Sequence, residues 1–272
     1  MTSLSSSSSS NAERAARVMI AIGAWGIDGV SLKLIAEELG EAKPAVHRTL
    51  TALARFGFVE SRGRGRYRLG AAIFALAKLE GTATDRIARW RPIVTAIAAR
   101  HGYTVYLLGR AGMDAVVLDM QMGGAPLQTL TRGVGARLPL GLGPGPAAIL
   151  STLDPATREL ILDQNAANYE ALGYKNAHIR RFVRDAVIRG YAFDRADFVA
   201  DCGGVALPIR DRDGLASAAI TVSAPLSYLT DERVAGIVAE LQQAIATIEQ
   251  LAPPIRARDG MSPFIRPKAE VV

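Results

Sequence analysis

The sequence predicts a multidomain α+β protein: a small N-terminal helical unit closed by a β-hairpin, a linker helix, and a larger C-terminal domain of mixed strands and helices. Three observations predict it. Residues 31–69 read as two short helices across a glycine turn, followed by an arginine-glycine hairpin. From Tyr103 the apolar spacing changes from a helical period to alternation. Charge divides along the same line: residues 11–102 carry 15 Lys/Arg against 8 Asp/Glu, and residues 103–272 carry 17 against 18. A chain of 272 residues, 49% of them hydrophobic, is long enough for two cores.

Residues 1–10 are almost all serine, a tract that buries no apolar surface and is expected to be disordered. It has neither the basic start nor the apolar run of a signal peptide. Asn11 to Trp25 predicts a first helix with Ala15, Val18, Met19 and Ile22 on one face. Ser31 is a suitable N-cap for the second helix, whose apolar face is Leu32, Ile35, Ala36 and Leu39, and Gly40 supplies its stop. The third helix places Val46, Leu50 and Leu53 on one stripe and His47, Arg48, Thr51 and Arg55 opposite, with Lys43 and Ala45 in its first turn.

Two short helices of this kind form a helix-turn-helix, in which the outer face of the second enters the DNA major groove. Phe58–Ser61 and Arg66–Leu69 then predict the strands of a wing with Arg62-Gly63-Arg64-Gly65 at its tip. Tyr67 and Leu69 should face the helices, leaving Arg66 and Arg68 outward beside Arg62 and Arg64, where phosphates could meet them. The alternative is a solvated Arg-rich loop on a small helical domain.

Ala71 to Leu79 is too apolar for a solvated linker and too short for a domain, so it should bury Ile73, Leu76, Ala77 and Leu79 against a partner. Gly81 interrupts, and a further helix runs from about Thr84 to His101, kinked or restarted at Pro92. Thr104–Arg110, Ala115–Met122 and Leu127–Thr131 read as strands, and helices follow from about Pro155 and from Ala177 to Arg189. Gly203–Arg210 and Leu215–Ala224 form a hairpin about Asp211-Arg212-Asp213-Gly214. A last amphipathic helix, Asp231 to Leu251, turns Val234, Ile237, Val238, Leu241, Ile245 and Ile248 toward the sheet, and the tail beyond Pro253 is expected to be loose. The predicted units are therefore 1–10 (tail), 11–70, 71–101, 102–252 and 253–272 (tail).

Few other chemistries fit. The uncharged stretch Leu138 to Leu153 is broken by Gly and Pro and is shorter than the ~20 residues of a membrane helix. One cysteine, Cys202, excludes an intrachain disulfide and a Cys-rich zinc site, so a cytoplasmic location without metal or cofactor is expected. His101 and His178 lack metal-ligand spacing, and Cys202 shows no base in sequence. In Gly141-Leu142-Gly143-Pro144-Gly145-Pro146 the prolines lack the N–H donors of a phosphate cradle. No catalytic constellation is visible.

NAERAARVM, SLKLIAEELG, KPAVHRTLTAL, GFVE and GRYRLG, then ARWRPIVTAIAARHG, RGVGARLPLG, RGYAFD, VALPIRDRDG and ITVSAPLSYLT occur in that order. In this serial order the chain resembles the IclR (isocitrate lyase regulator) family of bacterial transcriptional regulators from Asn11 to Leu251. The resemblance implies a GAF-like or profilin-like effector domain, dimerisation through the linker helix, and a palindromic double-stranded operator bound by a homodimer or a dimer of dimers.

It also implies a ligand site. Family members that sense small oxo acids look as if they hold them with an Asp, a Cys and two Ser, positions that fall here on Asp194, Gly204, Thr221 and Ser223, beside the loop holding Leu140, Gly141 and Gly143. Gly204 in place of Cys, and Gly141-Leu142-Gly143-Pro144 in place of a more polar segment, imply added volume and fewer polar groups. The expected effector is thus a small organic carboxylate, aromatic or longer-chained; two anions repel, so Asp194 is expected to accept from a ligand hydroxyl or orient a neighbouring donor and not to face the carboxylate directly. Pro44 and Ala45 stand where the family has Ser and Thr, so two hydroxyl contacts to DNA are missing. An enzyme with a catalytic C-terminal domain and a ligand-independent DNA-binding protein are the alternatives.

Overall fold

The computed structural model describes residues 11–63, 65–80, 83–124, 133–210 and 216–251. The expectations for both tails, for a strand at 127–131, for the break at Gly81, for Arg64 and for the turn at 211–214 lie outside these residues.

Three helices, α1 (Asn11–Ala24), α2 (Leu32–Leu39) and α3 (Lys43–Arg55), surround a core of Val18, Ile22, Ile35, Val46 and Leu50. Local chemistry sets their ends. Ser31 Oγ accepts from the Leu34 N–H at 3.3 Å, and Gly40 ends α2 in the left-handed conformation at φ +64°, its N–H reaching back to the carbonyls of Ala36 and Glu37. Pro44 lies in the first turn of α3, where a missing N–H costs no intrahelical bond.

The wing strands are β2 (Val59–Ser61) and β3 (Arg66–Leu69), with Tyr67 and Leu69 packed on the helical core as the alternation requires. A strand absent from the sequence reading, β1 (Val30–Ser31), pairs with β3 through Val30↔Tyr67 and Ser31↔Arg66, so the sheet has three strands in the order β1-β3-β2. Two residues are too few to show a period.

The linker helix α4 (Ala71–Glu80) leaves Phe74 69% and Leu76 53% exposed. The next helix, α5 (Ala83–His101), passes through Pro92 without restarting.

The larger sheet runs β6-β5-β4-β9-β8-β7, every pair antiparallel, from β4 (Thr104–Ala111), β5 (Asp114–Gln121), β6 (Arg137–Pro139), β7 (Ala192–Val199), β8 (Cys202–Arg210) and β9 (Ala216–Pro225). Alternation along the strands feeds two cores. Val105 and Leu107 of β4 with Ile220 and Val222 of β9 meet Trp90 and Val94 of α5 and Ile237 and Leu241 of α10 (Asp231–Leu251). Tyr106, Leu108 and Ala219 point the other way, onto α6 (Pro144–Ser151) and α9 (Asn176–Arg189), with α7 (Pro155–Gln164) and α8 (Ala166–Ala171) beyond.

Strands β6 and β7 and helices α6 and α8 were not legible as elements. β7 holds Asp194, Arg195 and Asp197, and its pairing with β8 shifts register between Asp194 and Val199, where Ala196 sits at φ +64°, so its alternation is broken. α6 opens Pro-Gly-Pro and is buried from Pro144 to Leu150, which erases the one-sided pattern that marks a surface helix.

Candidate functional site

The outer face of α3 holds Arg48, Thr51 and Arg55, all exposed, with Lys43 and His47 exposed on one flank. Lys43, His47, Arg48, Arg55 and Arg62 make no side-chain hydrogen bond or ion pair among the described residues, so their polar groups are available to a ligand. The Thr51 hydroxyl donates to the His47 carbonyl at 3.0 Å. Ala45 is half-buried and turns toward α1, lining a groove with Arg14, Thr49, Ala52 and Phe56.

The wing corrects one expectation. Arg66 is exposed, as expected, but its guanidinium is engaged: its Nε donates to the Asp28 carbonyl at 3.0 Å and its Nη2 to the Gly29 carbonyl at 2.8 Å, bracing β3 against the turn before β1. Arg68 is likewise engaged, in an ion pair with Glu60 on the neighbouring strand. Arg62 is the cation of the tip that the described residues leave exposed.

In the larger domain, α6 points its N-terminus at the sheet, and the space between them is a cavity of about 50 Å³, several times the need of one water. Tyr106, Leu108, Leu138, Leu142 and Val199 give it an apolar wall. Asp194, Cys202, Thr221, Ser223 and the backbone of Gly143 and Gly145 give it polar groups. Pro144 and Pro146 have no N–H, and the Ala147 N–H bonds the Gly143 carbonyl at 3.1 Å. The first turn therefore keeps the N–H groups of Gly143 and Gly145, at the positive end of the helix.

Thr221 and Ser223 alternate onto one face of β9, as read from sequence. Thr221 is 4% exposed, and its hydroxyl is buried without a hydrogen-bond partner. Such a group is rare in a folded interior, and Thr221 is among the residues that line the cavity. Close packing leaves no side chain at residue 145, because a Cβ there would lie 2.8 Å from both Thr221 Oγ1 and Leu108 Cδ1.

Asp194 is 3% exposed and borders the same cavity, its Oδ1 accepting from the Asp197 N–H at 2.7 Å. Burial, opposed by that hydrogen bond and reinforced by the Asp197 charge, pushes its carboxyl up to about 7.

Other expected residues fall elsewhere. Leu140 is fully buried, and its carbonyl accepts from the Tyr169 hydroxyl, whose own titration burial pushes up to about 12. Gly141, at φ +99°, faces Ile179 and Tyr169. Both shape the loop without lining the cavity. Gly204 adds no volume, since a Cβ there would come within 2.9 Å of Pro144 Cγ. Cys202, two residues earlier on the same face of β8, does line the cavity. Tyr106 and Leu108 were missed, although alternation along β4 carried the signal: Tyr106 pairs with Thr221 and Leu108 with Ala219.

Among the described residues no group of three or more His, Cys, Asp or Glu could hold a metal ion. No helix among them is long and apolar enough to cross a membrane.

Residues 12–63 match the IclR helix-turn-helix domain, and residues 82–250 match the bacterial transcriptional regulator IclR C-terminal family. The chain is 26% identical over 210 residues to the transcriptional repressor IclR of Escherichia coli strain K12, covering 75% of this chain and 76% of that protein. It is 29% identical to the glycerol operon regulatory protein of Streptomyces griseus, covering 80% and 85%. Among solved structures, an IclR regulator from Silicibacter sp. TM1040 superposes with a TM-score of 0.71 at 20% identity, over 90% of this chain and 98% of that one. An IclR homologue from Microbacterium hydrocarbonoxydans complexed with 4-hydroxybenzoate superposes at 0.68 and 21% identity, over 89% and 98%. With both of its halves matched, the chain belongs to the IclR family: a transcriptional regulator, not an enzyme, that joins a helix-turn-helix DNA-binding domain to an effector-binding C-terminal domain.

Proposed function

We propose that the chain binds a palindromic operator as a homodimer or a dimer of dimers, and that a small organic carboxylate larger than pyruvate, with an aromatic or longer apolar body, modulates that binding. Residues 11–70 form the DNA-binding unit, 71–101 the dimerising linker and 102–252 the effector unit. Arg48, Arg55 and Arg62 meet the duplex, with Lys43 and His47 at the edge of the contact.

The observation that carries the effector reading is the buried, unpartnered Thr221 hydroxyl beside the α6 N-terminus, in a cavity whose other wall is apolar. Hydroxyl and N–H donors suit the acid end, and Tyr106, Leu108 and Leu142 suit an apolar body. The 4-hydroxybenzoate bound by the Microbacterium homologue is a ligand of this class.

The test is thermal-shift screening of aromatic, aliphatic and oxo acids, followed by operator titration with each acid that binds. An aromatic or longer-chain acid should stabilise the protein most and change operator affinity. Best stabilisation by two-carbon and three-carbon oxo acids, or no change at the operator, overturns the reading.

A further inference from the structure

Resting on that effector reading, the charge inventory of the cavity leads one step further. No Lys, Arg or His lines it among the described residues, and its one ionisable acid, Asp194, is almost wholly buried. A carboxylate entering this space as a bare anion would meet a second, buried carboxylate with no counter-cation beside it. Two like charges in that environment do not stay ionised together. We propose that the cavity takes its acid together with one proton, held between Asp194 and the ligand's carboxylate, so that the bound pair carries a single negative charge.

The groups around Asp194 leave the proton to this pair. On its own strand, Asp197 has the same sign, donates its N–H to Asp194, and has its carboxylate 4.0 Å from His178 of α9. Arg195 turns outward to Asp231 of α10 at 2.5 Å and stacks over the Phe193 ring at 4.7 Å. From β8 the neighbour is the Cys202 thiol, and before α9 it is Tyr174, whose hydroxyl donates to the Phe198 carbonyl at 2.8 Å. From α6 and β9 nothing titratable faces it; Gly145, Thr221 and Ser223 offer only N–H and hydroxyl groups. Burial already holds the Asp194 proton to about pH 7, which puts the carboxyl within reach of sharing it.

The step balances simply. Below that range Asp194 brings the proton. Above it, solvent supplies one per ligand, and an O–H···O hydrogen bond replaces a carboxylate–carboxylate repulsion. Asp194 thereby becomes a residue that selects acids, donating to a carboxylate oxygen opposite the donors of α6 and β9.

The test is calorimetric titration of the full chain with benzoate, 4-hydroxybenzoate, phenylacetate and hexanoate from pH 6 to 9, each in two buffers of different ionisation heat, with benzamide as a neutral control. Above pH 7 the Kd of a binding acid should rise about tenfold per pH unit, with uptake of one proton, whereas benzamide should show neither. Asp194→Asn, which donates at every pH, should bind the same acid with a flat profile. A flat profile or zero proton uptake in the unmutated protein overturns the proposal while leaving the carboxylate reading intact. A slope that persists in the Asn variant also overturns it, placing the proton elsewhere. If none of the four acids binds at any pH, the carboxylate reading falls and this proposal with it.

Discussion

The ring of Pro144 stands where a side chain on residue 204 would go: a Cβ on Gly204 would meet Pro144 Cγ at 2.9 Å, with Ser223 Oγ at 3.4 Å. The first residue of α6 and the start of β8 are thus fitted to each other across the rim of the cavity. Sequence comparison alone suggests that Gly204 opens space; the structure gives that space to Pro144. Gly204→Cys should therefore strain the domain, lowering stability by about 1–3 kcal/mol as overpacking does. Pro144→Ala in the same chain should recover part of the loss. Chemical denaturation of the two single variants and the double variant checks this, and additive effects would show that the residues do not compete.

Thr221 offers a second test. Its hydroxyl is buried and unpartnered, so removing it without changing shape should cost the folded protein little and is expected to stabilise it. Thr221→Val should keep or raise the melting temperature without added acid, while weakening the acid by about tenfold or more. A variant that loses stability would mark the hydroxyl as structural.

The raised titration of Asp194 sets a pH window. The folded carboxyl holds its proton to about 7, against 3.8 for the ordinary group. Between these values the folded state binds more protons than the unfolded one, so stability falls as pH rises. The contribution is complete below about 4 and lost as pH passes 7. Melting temperatures of the protein and of Asp194→Asn across pH 4–8 should diverge in that sense, with the unmutated protein declining relative to the variant toward pH 7. Parallel curves would contradict the shift.

On the DNA side, operator affinity should fall with salt by about 0.9 log unit per log unit for each phosphate neutralised. Arg48→Ala should cost specific binding roughly 1–3 kcal/mol more than binding to random DNA, if its guanidinium reads a base edge. Arg66→Ala should act otherwise, because its guanidinium holds the carbonyls of Asp28 and Gly29. Its loss should loosen the wing and lower the melting temperature of the DNA-binding unit. Equal losses on operator and random DNA for Arg48→Ala would show that it contacts phosphate only.

The exposed apolar side chains of α4 bear on assembly. Phe74→Asp with Leu76→Asp should give monomers that have lost specific DNA binding and keep acid binding. Sedimentation of the parent protein and the double variant checks it, and a monomeric parent at micromolar concentration would count against dimerisation through the linker.

Much of this was legible in the chain because period and capping are local. Ser31, Gly40 and the stripe Val46, Leu50 and Leu53 fix α2 and α3 without help from distant residues, and Thr221 with Ser223 could be placed on one face by alternation alone. What failed was set by tertiary context. The backbone at Ala196 breaks the pattern of β7, and complete burial hides the period of α6. Arg66 looked free because the carbonyls that bind it lie 37 and 38 positions earlier. Likewise, nothing in the local sequence says that Pro144 covers Gly204.

An acid held in the α6 cavity should change what α3 does at the operator. Fluorescence anisotropy of labelled operator tests it most directly, titrating the strongest acid from the thermal screen against the protein and Ser223→Ala. Without acid the two should bind the operator equally; with acid, the midpoint of the response should move about tenfold or more higher in the variant, as loss of one donor to a charged group requires. An identical midpoint in both proteins would place the effector somewhere other than this cavity.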